Sequence, residues 1–213
     1  MTTALEGPQT VMGRVTALLE PFRDTEGLTL SELARRTGFP RSSAHRMLLQ
    51  LVKVDLVRRN GTTYYLGPKL VELGALAVAH DRVHRATLPA MYDLRRDTGL
   101  VVHLAVLESD SLLYLEKIGG RWSTNLHTRT GERRPAAETV EGAAALAFRG
   151  GNDGVADGGS HIRCVAAAFD AGYGEIAVLS LTGPREQVSD DLDRRVREAA
   201  CAVSARIAAS KGA

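Results

Sequence analysis

Between Leu28 and Lys53 the chain reads LTLSELARRTGFPRSSAHRMLLQLVK, and the Gly-Phe-Pro at its centre leaves few ways to fold. Gly38 supplies a turn after one short helix. Pro40 restricts Phe39 to an extended backbone and opens the next helix well. Thr29 or Ser31 can cap the first helix, expected over Glu32 to Thr37. In the second helix Ala44, Met47, Leu48 and Leu51 recur at helical spacing and form a core stripe. Ser42, Ser43, His45, Arg46 and Gln50 are left outside, with Arg41 at the helix start. Two amphipathic helices across a tight turn, the second opening on a polar, cationic face, make a helix-turn-helix suited to a DNA major groove.

The flanks extend this reading. Val11 to Phe22 carries apolar residues at 11, 12, 15, 18, 19 and 22, the spacing of a helix with one buried face. Pro21 and Gly27 end it. Downstream, Leu56 to Arg59 and Thr63 to Leu66 are β-rich runs around Asn60-Gly61-Thr62, a strong hairpin signal. A hairpin directly after a helix-turn-helix is a wing, and Arg58 and Arg59 on its first strand are placed for phosphates or a minor groove. From Val11 to Leu66 nine Arg and Lys face five Asp and Glu, although the whole chain is only +2. The basic excess is concentrated where nucleic acid would bind. Arg35 and Arg36 fit a solvated surface as well as a phosphate contact.

Past Gly67-Pro68 the pattern changes. Lys69 to His80 reads as a linker helix with Leu70, Leu73, Leu76 and Ala77 on one face, and Arg85 to Thr98 as a helix closed by Gly99. Strands follow over Val101 to Leu107, Leu112 to Ile118 and Thr124 to Thr128. Val140 to Phe148 is a helix, and Gly/Asp-rich Arg149 to Ser160 reads as a mobile loop. Ile162 to Phe169 and Glu175 to Leu181 are strands. Ser189 to Ser210 is a closing amphipathic helix with Leu192, Val196, Ala199, Ala200, Val203 and Ile207 inward. The expected class is α+β, with antiparallel strands flanked by helices. The expected division is a winged helix-turn-helix over 8–67, a linker helix over 68–82 and an effector-binding or oligomerisation domain over 83–213. Met1 to Gln9 reads as a disordered leader. No apolar run approaches the ~20 residues of a membrane span, no signal peptide opens the chain, and Cys164 and Cys201 have no disulfide or metal-ligand spacing. A reducing cytoplasm is expected.

With those elements placed, the chain resembles the IclR family of bacterial transcription regulators. The run Tyr65-Leu-Gly-Pro-Lys-Leu-Val-Glu-Leu-Gly74 is similar to the family's wing and linker, and the helix opened by Pro40-Arg-Ser-Ser-Ala-His-Arg46 to its recognition helix. Pro135-Ala-Ala-Glu-Thr-Val-Glu-Gly142 with Ala145-Leu-Ala147, then Arg163-Cys-Val-Ala-Ala-Ala-Phe-Asp170, then Val178-Leu-Ser-Leu-Thr-Gly-Pro184, resemble its effector-domain segments. The resemblance implies a GAF-like antiparallel-sheet effector domain. It departs from the pattern after Gly142, where Arg149 to Ser160 stands in place of about two helices. Ala137 and Ala143 replace the usual His and Lys, and Arg134 and Glu141 put charges beside the expected cavity.

These readings define two candidate sites. Arg41, Ser42, Ser43, His45, Arg46, Arg58 and Arg59 are the candidate DNA-binding residues. The resemblance places Arg134, Thr139, Val140, Glu141, Cys164, Ser180 and Thr182 at an effector site. Ser180 and Thr182 alternate on one strand and share a face. The free N–H groups where Thr139, Val140 and Glu141 open a helix suit an anion, which Glu141 would oppose by like charge. A hydrolase built on Cys164 with His161 or His103 lacks an oxyanion motif, and His103, His127 and His161 lack paired-ligand spacing for a metal. The expectation is a non-enzymatic regulator without a cofactor. It would read a pseudo-palindromic double-stranded operator as a homodimer or dimer of dimers. A small organic acid or aromatic metabolite would modulate it. The alternative is a constitutive DNA binder whose C-terminal domain only oligomerises.

Overall fold

Thr29 fixes where the second helix begins. Its backbone is extended, its hydroxyl accepts the Glu32 N–H at 3.3 Å, and the Glu32 carboxylate accepts the Thr29 N–H at 2.8 Å. This reciprocal capping box satisfies two donors that a helix start otherwise leaves open. In the computed structural model, which describes residues 10–119, 126, 128–189 and 191–210, α2 accordingly spans Leu30–Thr37. Gly38 ends it at φ 72°, a left-handed conformation that glycine adopts without steric cost. The next helix, α3, spans Arg41–Lys53. Before them, α1 (Val11–Leu19) is capped by Thr10, and the chain continues as a 3-10 turn over Glu20–Asp24 containing Pro21.

Three short strands complete this first unit: β1 (Leu28–Thr29), β2 (Val57–Asn60) and β3 (Thr63–Leu66). They form an antiparallel sheet in the order β1-β3-β2, with Leu28 opposite Tyr64 and Val57 opposite Leu66. The two residues of β1 are too few to show a period, so the sequence pattern did not anticipate it. Leu18, Phe22, Leu33, Ala44, Leu48, Leu51, Val57 and Tyr64 form one core, against which Met47 packs from the margin, only partly buried.

The chain divides into two compact units after Ala77. The helix α4 (Pro68–His80) crosses that point. It carries no buried residue, and Val71, Leu73 and Leu76 are 73%, 49% and 52% exposed.

The second unit is a six-stranded sheet with helices on both faces. Its helices are α5 (Arg82–Thr98), α6 (Val140–Arg149) and α7 (Asp191–Ala209). Its strands are β4 (Val101–Glu108), β5 (Ser111–Ile118), β6 (Arg133–Pro135), β7 (Val155–Gly158), β8 (Ile162–Gly172) and β9 (Glu175–Pro184). The order is β6-β5-β4-β9-β8-β7, antiparallel throughout. Alternation along each strand assigns the faces. Val102, Leu104, Val165, Ala167, Leu179 and Leu181 pack with Met91 of α5 and Val196 and Val203 of α7. Ala105, Tyr114, Ala166, Ala168 and Val178 pack with Ala144 and Ala145 of α6.

Two expectations need correction. The segment expected as a mobile loop over Arg149 to Ser160 contains β7, because Val155 to Gly158 pairs with Cys164 to Ala167. Sheet pairing supplies the order that its Gly/Asp composition does not signal. The sheet also gains β6, where Arg133 to Pro135 pairs with Ser111 to Leu113. Of the strand expected over Thr124 to Thr128, Leu126 and Thr128 are not in a strand. The rest of it, Met1 to Gln9 and His127 lie outside the described residues. No helix among the described residues is long and apolar enough to cross a membrane.

Thr29→Ala removes the hydroxyl half of the capping box. Urea unfolding followed by far-UV circular dichroism is expected to show the first unit destabilised by about 1 kcal/mol.

Candidate functional site

Two regions gather the candidate residues. On the first unit, the buried stripe of α3 leaves Arg41, Ser42, Arg46 and Gln50 exposed and Ser43 and His45 half-buried. Ser42, Arg46 and Gln50 are four residues apart and line one side of the helix. Among the described residues, their side chains make no hydrogen bond or ion pair. Pro40 offers no side-chain cap, and its carbonyl takes the N–H groups of Ser43 and Ala44 at 2.9 and 3.0 Å. The helix start therefore presents N–H groups of Arg41 and Ser42 to a phosphate. Arg41 is hydrogen-bonded to the Ser31 hydroxyl of α2, which links the two helices across the turn.

In the wing, register sets the arginine positions. Arg58 lies opposite Tyr65 and Arg59 opposite Tyr64. Each guanidinium stacks on its cross-strand ring, at 4.6 and 5.6 Å from the centroids, in cation–π contact. Arg59 also donates to the Gly61 carbonyl at 2.7 Å. Consecutive residues point to opposite faces of a strand, so these two arginines extend from opposite faces of the hairpin.

On the second unit, parity places His103 of β4, Cys164 of β8 and Ser180 and Thr182 of β9 on the α6 face of the sheet. His103 is paired with Ser180, and Cys164 with Thr182. Above them lies a cleft of about 390 Å³, closed on one side by the start of α6. Its wall includes Arg134, Thr139, Val140, Glu141, Cys164 and Thr182 of the expected set. Ser180 is the exception. It is fully buried and donates to Glu141 Oε1 at 3.0 Å, so it supports the cleft from beneath instead of facing it. Strand periodicity and motif spacing did not single out the other walls, among them Tyr114, Glu132 and Ile162. These come from segments far apart in sequence. Only the alternation that puts His103 on the same face as Ser180 carried any signal.

Glu141 is held where it is by backbone geometry. Thr139 caps α6 by accepting the Gly142 N–H at 2.9 Å. A Cβ on Gly142 would lie 1.9 Å from the Ala136 carbonyl oxygen, so only glycine lets the preceding 3-10 turn, Ala136–Glu138, pack against the helix start. Glu141 is 6% exposed, and its Oε1 lies 4.0 Å from His103 Nδ1. His103 Nε2 bonds Thr128 Oγ1 at 2.8 Å. Lys117 Nζ donates to the carbonyls of Leu126 and Thr128 at 2.8 and 2.9 Å, fixing that wall. Arg134 at the rim reaches Glu132 at 3.7 Å in a half-exposed pair, an arrangement that contributes little energy in water.

Two family models match the chain: the IclR helix-turn-helix domain over residues 12–61 and the bacterial transcriptional regulator IclR C-terminal domain over 75–154. The chain belongs to the IclR family. It is 34% identical over 120 residues to the HTH-type transcriptional regulator KipR of Bacillus subtilis, covering 56% of this chain and 48% of that protein. It is 30% identical over 138 residues to KdgR of Escherichia coli, covering 64% of this chain and 52% of that protein. The chain thus spans about half the length of these curated relatives. In fold it is similar to an IclR homologue from Microbacterium hydrocarbonoxydans crystallised with 4-hydroxybenzoate. The TM-score is 0.78 at 23% identity, over 94% of this chain and 100% of that one. An IclR family regulator from Brucella abortus matches with TM-score 0.76 at 18% identity, over 97% and 96%.

In this IclR-family chain burial governs several titratable groups of the cleft wall. Burial pushes the Cys164 thiol well above its ordinary value, and the Glu141 charge acts in the same direction against the nearby Ser180 and Thr182 hydroxyls. A thiol so held stays protonated and is a poor nucleophile. Burial, helped by Lys117, lowers His103 to about 3, so its imidazole is neutral at physiological pH. Burial raises Tyr114, with Glu141 and Cys164 adding to the effect. Among the described residues, no group of three or more His, Cys, Asp or Glu side chains is placed to hold a metal ion.

Two outcomes follow. Iodoacetamide labelling read by mass spectrometry is expected to modify exposed Cys201 while buried Cys164 reacts about a hundredfold more slowly, the difference vanishing in denaturant. Gly142→Ala forces the turn and α6 apart. Thermal unfolding is expected to show a loss of about 1–3 kcal/mol.

Proposed function

We propose that this chain is a DNA-binding transcriptional regulator whose second unit senses a small organic molecule. The observation that carries the reading is the outer face of α3. A capped α2, a glycine turn and a proline start present Ser42, Arg46 and Gln50 as an unpaired polar stripe. A helix with such a stripe fits the major groove, where arginine forks onto guanine O6 and N7 while hydroxyls and helix-start N–H groups take phosphates. Arg58 and Arg59, stacked on the wing tyrosines, would contact phosphates or the flanking minor groove. The assigned DNA contacts are therefore Arg41, Ser42, Ser43, His45, Arg46, Arg58 and Arg59.

A homodimer follows from reading two half-sites about 34–36 Å apart, and the exposed apolar side chains of α4 support pairing of copies. The family membership and the fold shared with a protein crystallised with 4-hydroxybenzoate support an effector in the cleft, bounded by Arg134, Thr139, Val140, Glu141, Cys164 and Thr182. Occupancy would alter the operator affinity only so far as the ligand binds one conformational state more tightly than the other. The domain boundaries we propose are 8–67 for DNA reading, 68–82 for the linker and 83–213 for sensing. We place the protein in the cytoplasm, acting without chemistry of its own.

The test is fluorescence anisotropy on DNA from upstream of its own gene. Arg46→Ala is expected to raise Kd by about ten- to a hundredfold and to relax base preference at one position per half-site, corresponding to about 1–3 kcal/mol. Circular dichroism and oligomeric state should stay unchanged. Unaltered affinity and base preference would remove α3 from the interface.

A further inference from the structure

The cleft reads differently when its charges are placed. Among the described residues its wall carries three carboxylates, Glu132, Glu138 and Glu141, and one guanidinium, Arg134. Arg134 already leans on Glu132 at the rim, and the Lys117 ammonium is engaged by carbonyl oxygens. Of the carboxylates only Glu141 is buried, and its described contacts are neutral: the Ser180 hydroxyl, the Cys164 thiol and the imidazole of His103. Glu141 also sits in the first turn of α6, where the helix dipole favours a negative charge. The position that would attract a ligand's carboxylate is thus already filled by one from the chain. A separate observation points to a missing partner. Thr182 Oγ1 is buried in the same wall, with the residue 6% exposed, and among the described residues it has no hydrogen-bond partner of ordinary geometry, its hydroxyl acting only on the Cys164 thiol beside it. A buried hydroxyl left open costs free energy unless something bonds to it. Beside these groups lie the apolar surfaces of Tyr114, Leu126, Val140 and Ile162.

We infer that the ligand of this cleft is a small organic cation, a primary amine or amidine on an apolar body, with its charged head on Glu141 and Thr182. The inference rests on the reading of the cleft as an effector site. An ammonium donates to both oxygens, balances the buried charge, and sets its body against the Tyr114 ring, where a cation is also attracted. A volume of about 390 Å³ suits a one-ring or short-chain molecule. A carboxylate of the same shape meets like charge.

Matched probes decide it: benzylamine and benzamidine against benzoate, and butylamine against butyrate, titrated by thermal shift and calorimetry on the full chain. The amines are expected to raise Tm saturably, and the carboxylates at least tenfold less effectively. Glu141→Gln, which keeps the shape and an acceptor for Ser180, is expected to weaken amine binding at least tenfold. Thr182→Val serves as a second variant should Glu141→Gln fail to fold, with a severalfold loss expected. Saturable binding of carboxylates but not amines would overturn the cation and leave the effector reading standing. Binding of neither class would overturn both. Amine binding unaffected by either substitution would place the cation elsewhere and overturn the assignment.

Discussion

Burial of the six-stranded sheet on both faces is the constraint on which the second unit depends. With α5 and α7 on one side and α6 on the other, every residue of a central strand is committed to one of two environments by its parity. Odd positions of β4 and even positions of β8 and β9 face α6, so the side chains that build the cleft are selected by register alone. The bulge between Leu104 and Ala105 shifts this register on β5 and lets Tyr114 join the α6 side while Leu115 stays with α5 and α7. A single-residue slip of β9 would send Ser180 and Thr182 into the hydrocarbon layer and bring Leu179 and Leu181 to the cleft.

Much of this was legible in the chain. The turn at Gly38 and Pro40, the apolar stripe of α3, the Asn-Gly wing and the long period of α7 are local signals, each contained within one element. The pieces that escaped are those whose order comes from a partner strand. The two residues of β1, the three of β6 and the Gly/Asp-rich β7 have no periodicity of their own and exist because Tyr64, Leu112 and Ala166 lie beside them.

The candidate sites divide in the same way. The α3 face could be listed residue by residue because it is one helix. The cleft joins β4, β5, β8, β9 and the start of α6, and motif resemblance reached only those residues lying in recognisable runs. It also counted Ser180 among the walls, whereas its hydroxyl is bonded to Glu141 beneath the cleft. Strand alternation gives the correct face, but only the placement of Glu141, 39 residues earlier in the chain, shows that the hydroxyl is already committed. The departures from the family pattern, Glu141 among them, are where local signals fail and where the chain sets its own chemistry.

The two borders of the large sheet have a further consequence. One ends in β6, where Arg133, Arg134 and Pro135 set two charges and a residue lacking an N–H along the rim. The other ends in β7, four residues long, with Asp157 clasped by Arg163 at 2.7 Å and glycine on either side. Short, charged or proline-bearing margins deny a neighbouring molecule the ladder it would need to extend the sheet. Pairing of copies of this chain edge to edge through the large sheet is therefore disfavoured at both of its borders.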